Sequence, residues 1–123
     1  RFLILTFTMF LFYEPAIAHE WMAPEELSKI KNPVPFNEAS TTRGKEIYLD
    51  NCAACHGDDS KGLKAQDVNL AKDPPNLQKR LATHSDGDFF WKIQVGRDEM
   101  PSFKENLEER DIWDVIHWLK TVK

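Results

Sequence analysis

Residues 51–62 read NCAACHGDDSKG and hold both cysteines of the chain, Cys52 and Cys55, with His56 directly after the second. Because both thiols lie in one short motif, no disulfide can staple distant parts of the fold, so stability comes from a core or from something bound. Side chains at i and i+3 of a helical turn point to one side, and the adjoining imidazole projects close by. Two thiols there can bond a planar group while the imidazole binds its centre. This is the chemistry of covalent haem attachment through Cys-x-x-Cys-His. A structural zinc site needs four ligands, usually with a second cysteine pair, which this chain lacks. A thioredoxin-like redox pair wants a strand-to-helix setting, and no stretch of the chain alternates long enough for a strand.

An iron held by His56 needs a second axial ligand or keeps an open position. Met100 follows Gly96 and precedes Pro101, in a segment where proline fixes a loop able to pass the haem. A thioether there would favour the reduced iron and raise its potential. Met22, His84 and His117 are the competing candidates. Met22 belongs to a proline-containing arm, and His117 falls within the terminal helix beside Trp118.

The 123 residues, 41% of them hydrophobic, suit one small globular domain. A formal net charge of -4 with no basic run argues against nucleic-acid binding, which leans on clustered Lys and Arg. Residues 1–18 run from Arg1 through an apolar block to Ala16-Ile17-Ala18, the pattern of a secretory signal cleaved before His19. That block is shorter than the roughly 20 residues a membrane-spanning helix needs. Left uncleaved, it would anchor the domain to the membrane. Export implies the periplasm as the compartment.

Residues 19–36, with prolines at 24, 33 and 35, read as an arm with one helical turn at most. The domain proper spans residues 37–123 and its signals are helical. Gly44, Ile47, Tyr48 and Cys52 share a face behind a cap at Asn37 or Ser40. Ser85 and Gly96 frame a second helix, with Asp88 completing a capping-box pattern. Ile112, Val115, Ile116 and Leu119 keep the helical rhythm of a last helix, expected to be capped by Asn106 with Trp113 partly exposed. Glu108 to Asp111 reads as a helix start that compensates the dipole rather than as a binding patch. No Ser-His-Asp set or pair of catalytic carboxylates stands out.

The segments GKEIYLDNCAACHG, PPNL, FFWKIQVGRDEMPSF and IWDVIHWLKTV, in that order, resemble the class I cytochromes c of the bacterial single-haem type, over nearly all of residues 40–123. The resemblance implies an all-α fold of three to five helices around one covalently attached haem c, its first and last helices crossing near Gly44, Tyr48 and Trp118. It further implies thioethers at Cys52 and Cys55, His56 as proximal and Met100 as distal iron ligand, and a Pro75 carbonyl accepting the His56 N–H. Leu77, Trp91 and Ile93 would line the haem. Ser60 stands where related sequences often place a glycine, which puts the turn after His56 in question. The implied function is a periplasmic single-electron carrier serving redox protein partners, as a monomer or in a complex. The alternatives are a haem subunit of a larger oxidoreductase, or a peroxidase-like or gas-binding protein with a displaceable distal ligand.

Overall fold

The computed structural model describes residues 21–123. The secretory signal expected over residues 1–18 lies outside them. Among the described residues there are six α-helices and no strand, only an isolated bridge between Arg97 and Met100. The helices are α1 (Glu25–Ser28), α2 (Glu38–Asn51), α3 (Ala53–His56), α4 (Leu77–Leu81), α5 (Asp86–Val95) and α6 (Glu109–Leu119), with a 3-10 turn at Ala65–Asp67. Five of them, α2 to α6, lie in residues 37–123, within the expected three to five, and α1 is the single turn expected of the arm.

Asn37, not Ser40, caps α2: its side chain accepts the Ser40 N–H at 2.9 Å. Ser40 is buried instead and faces α6. The α2–α6 crossing turns on Gly44, where an added Cβ would stand 1.9 Å from the Asp114 carbonyl oxygen. That closeness lets Tyr48 reach Trp118 at 4.3 Å between ring centroids and buries Ile112, Val115, Ile116 and Leu119. Beside the crossing, the Ser40 hydroxyl bonds Asp114 Oδ1 at 2.5 Å and His117 Nδ1 at 2.8 Å, all three residues being buried. With the serine between carboxylate and imidazole, inside a helix interface, this cluster ties helices together and presents no nucleophile.

Two expectations for α6 are corrected. Its N-cap is Glu108 with Asp111 in a reciprocal capping box, two residues beyond Asn106. A carboxylate here caps the Asp111 N–H, two residues beyond the Glu109 N–H that Asn106 would have capped, and also meets the positive end of the dipole. Trp113 is buried, stacked on Phe90 at 4.1 Å and 10°. The α6 pattern alone does not bury it, whereas residues 21–36 fold onto α6, where Asn32 Nδ2 donates to the Trp113 carbonyl at 2.9 Å.

The α5 helix starts as expected, with the Ser85 side chain accepting the Asp88 N–H at 3.1 Å, and stops at Gly96 with φ 64°. Only half of the expected box forms. The Asp88 carboxylate turns inward, where it accepts the Ala23 N–H and pairs with Lys92 Nζ, each at 2.5 Å.

Candidate functional site

The two cysteines sit on a helical corner. Cys52 ends α2, donating its N–H to Tyr48 at 2.8 Å, and its own carbonyl opens α3 by accepting N–H groups from Cys55 and His56 at 3.2 and 2.9 Å. Gly57 closes α3 with φ 77°, and its carbonyl accepts the buried Tyr48 hydroxyl at 2.7 Å. One aromatic residue of α2 thus fixes the far end of the cysteine turn. The sequence placed Tyr48 on the core face of α2 but gave no sign of this bond, since only the reversal at Cys52 brings Gly57 back over the helix.

Beyond Gly57 the chain folds back on itself. Gly62 N–H bonds the His56 carbonyl at 2.8 Å, Leu63 N–H bonds the Cys55 carbonyl at 3.1 Å, and the Ser60 carbonyl accepts Leu77 N–H at 2.8 Å. Gly62, at φ 86°, lies so near Pro74 that an added Cβ would stand 2.2 Å from its carbonyl oxygen. This close approach carries Pro75 up to His56. Ser60 fills the expected glycine position in a left-handed conformation, φ 58°, fully buried, with its hydroxyl accepting from Gln78 Nε2 at 2.7 Å.

Electrostatics separate the possible chemistries. Burial, reinforced by the neighbouring Cys55, pushes the Cys52 thiol up to about 12, so it stays protonated at neutral pH, unlike the depressed thiols of redox or nucleophilic sites. Both cysteines are free, and among the described residues no cluster of three His, Cys, Asp or Glu could hold a metal such as zinc. Burial lowers the His56 pKa while the Pro75 carbonyl opposes that shift, leaving a neutral imidazole, the form that ligates metals. Its Nδ1 is buried without a partner in full hydrogen-bond geometry. Free thiols one turn apart beside a neutral, under-bonded imidazole fit the donor set of a covalent haem.

Met100 lies in a tight turn after α5, where it and Arg97 exchange backbone hydrogen bonds of 2.9 and 3.0 Å. Half-buried, it packs against the same apolar cluster as Cys52, Leu77 and the buried Ile93. Trp91 lies outside that cluster and meets Trp21 at 5.9 Å. The rival ligands are engaged or remote: His117 is held by Ser40, His84 Nδ1 lies 3.0 Å from the Arg80 carbonyl and 2.9 Å from Thr83 Oγ1, and Met22 is 46% exposed.

A family model described as cytochrome c oxidase, cbb3-type, subunit III, matches residues 39–119. The chain belongs to the class I c-type cytochromes. With that membership comes one covalently bound c-type haem, matched to the one Cys-x-x-Cys-His motif in the sequence. This cytochrome is 48% identical over 99 residues to the cbb3-type cytochrome c oxidase subunit CcoP of Rhodobacter capsulatus, covering 72% of the chain and 31% of that subunit. It therefore spans under a third of that relative's length. A cytochrome c6-like protein of Nostoc is 29% identical over 89 residues, covering 69% of this cytochrome and 73% of the relative. Among solved structures, a reducing HAO-like protein complex of Kuenenia stuttgartiensis shares the fold, with a TM-score of 0.58 and 20% identity over 73% of this chain and 46% of that one.

Proposed function

We propose that this cytochrome is a periplasmic one-electron carrier whose haem is held by Cys52 and Cys55 and ligated by His56 and Met100. When bound, a c-type haem supplies a one-electron iron couple. The chain's residues set how that couple is used. Cys52 and Cys55 would supply the thioether sulfurs, and the buried His56 Nδ1–H, beside the Pro75 carbonyl, would donate to it and leave Nε2 for the iron. Leu77 and Ile93, on the apolar cluster of Met100, would exclude water from the haem, with Trp91 beside them on α5. Met100 would hold the iron as its second ligand and keep small molecules from it, so that the protein would exchange electrons with redox partners without converting a substrate. The observation that carries this reading is Met100, packed with Cys52 and Leu77 on one apolar cluster while His84 and His117 are engaged elsewhere.

A second reading, a haem domain within a larger oxidoreductase, is favoured by the 48% identity to an oxidase subunit. Among the described residues no helix is long and apolar enough to cross a membrane. Residues 1–18 supply the export signal on either reading. Purification as a lone protein or within a complex separates the two.

The test is Met100→Ala. The wild-type ferric protein should show the weak far-red band of a sulfur-to-iron bond and resist carbon monoxide when reduced. Met100→Ala should lose the band, lower the midpoint potential and bind carbon monoxide readily. Met22→Ala should do none of this. A wild type that binds carbon monoxide rapidly refutes the carrier reading.

A further inference from the structure

Residues 21–36 are strapped across α5 and α6. Gly87 admits α1 so closely that an added Cβ would stand 2.1 Å from the Leu27 carbonyl oxygen. Ser85 Oγ donates to the Ser28 carbonyl at 2.5 Å, and Asp88 accepts the Ala23 N–H. These ties deliver the Trp21 side chain to the end of α5. There its ring meets Trp91 at 5.9 Å and 58°, the Arg97 guanidinium lies 4.7 Å from its centroid, and the Lys92 ammonium lies 5.7 Å away.

Arg97 is the residue whose backbone N–H and carbonyl both bond Met100. Its side chain is therefore held by the strap and its main chain by the methionine. The turn between them has little slack: at Gly96 an added Cβ would stand 2.5 Å from Ser102 N and 2.6 Å from the Met100 carbonyl oxygen. Phe103 N–H, bonded to the Ile93 carbonyl at 3.1 Å, closes the other side.

We infer that Trp21 and Arg97 are positioning residues for Met100: Trp21, docked on Trp91, holds the Arg97 guanidinium and with it the Arg97–Met100 backbone pair. This rests on Met100 being the distal ligand. A guanidinium stacked on an indole at a half-exposed site is worth enough that its loss raises the Met100-dissociated population by about twofold to about fivefold.

The experiment uses the reduced holoprotein and reads the rate of carbon monoxide binding, which follows that population, beside the ferric far-red band. Arg97→Gln, at a half-exposed side chain that endangers no core, and Trp21→Ala should each raise the rate within that range. The double variant should add little beyond either, since both remove one contact. Trp21→Phe, keeping an aromatic face, should restore much of the slow binding. Asn32→Ala, which frees the strap from the Trp113 carbonyl away from the turn, should lower the melting temperature and leave the rate unchanged. Rates within twofold of wild type in both Arg97→Gln and Trp21→Ala overturn the inference, and so does an equal rise in Asn32→Ala, which would mark a general loosening. If the wild type itself lacks the sulfur-to-iron band, the assignment of Met100 falls and the inference with it; an intact band with indifferent variants ends the inference alone.

Discussion

Gly44→Ala sets two effects of opposite sign against each other. An interior helical glycine costs about 1 kcal/mol relative to alanine, so helix propensity alone makes the substitution stabilising by that amount. The contact at the α2–α6 crossing says otherwise. The new Cβ would meet Asp114 O at 1.9 Å, Asp114 C at 2.4 Å and Val115 N at 2.9 Å, all backbone atoms and all below the 3.0 Å that real Cβ contacts respect. No side chain can swing away, so α2 and α6 must part by about 1 Å. A gap of that size forfeits about a quarter to a half of each dispersion contact along the interface of Tyr48, Ile112, Val115 and Ile116. The loss should reach the upper part of the overpacking range, about 3 kcal/mol. Net of propensity, the holoprotein should lose about 2 kcal/mol, a fall in melting temperature of roughly 10 °C for a domain this size. Calorimetry of holo wild type and Gly44→Ala reads it directly. Lys45→Ala, exposed on the same helix, should stay within about 0.5 kcal/mol. A Gly44→Ala melt at or above wild type would show that the crossing is not sterically limited by this glycine.

At Ser60, alanine keeps the left-handed strain and loses the Gln78 bond, whereas glycine loses the bond but relieves the strain. Urea denaturation should therefore find Ser60→Ala less stable than Ser60→Gly by about 1 kcal/mol or more, and the reverse order would contradict the account. Burial and the nearby Lys120 hold the His117 pKa below its ordinary 6.5, against the opposing pull of Asp114 and Asp86. The unfolded chain then binds the proton first, so stability should fall as pH drops from about 6.5 toward the lower folded value. His117→Asn should flatten that limb in denaturant titrations from neutral to acid pH, and an unchanged slope would place the acid sensitivity elsewhere. Replacing both Cys52 and Cys55 by alanine should leave a chain with weak helicity and no cooperative melt by circular dichroism, because a domain of about 87 residues gains much of its apolar interior from the haem. Native-like melting of that variant would make the haem an accessory to the fold.

The parts of the fold written in local pattern were legible in the sequence. Ser85 and Gly96 bound α5, and the spacing of Ile112, Val115, Ile116 and Leu119 marks the buried face of α6. What was missed depends on residues far apart in the chain. The α6 cap shifted to Glu108 because Asp111 returns a hydrogen bond to the Glu108 N–H, a contest among neighbouring polar residues that spacing does not decide. The Trp113 ring is buried against Phe90, and its carbonyl is bonded by Asn32, neither of them in its own helix. Residues 21–36 look like an irregular arm because their hydrogen-bond partners are Asp88, Ser85 and Trp113. At the site, thiol spacing pointed to the chemistry, whereas the Tyr48–Gly57 bond and the Trp21–Arg97 stack needed the folded chain.

Intact mass of the purified protein under denaturing conditions tests the central claim most directly, because only covalent attachment survives unfolding. The account predicts one species, the polypeptide plus a single haem, with the added mass retained after acid-organic extraction and carried by the fragment containing Cys52, Cys55 and His56. A polypeptide of unmodified mass, with haem released into the solvent, would contradict it.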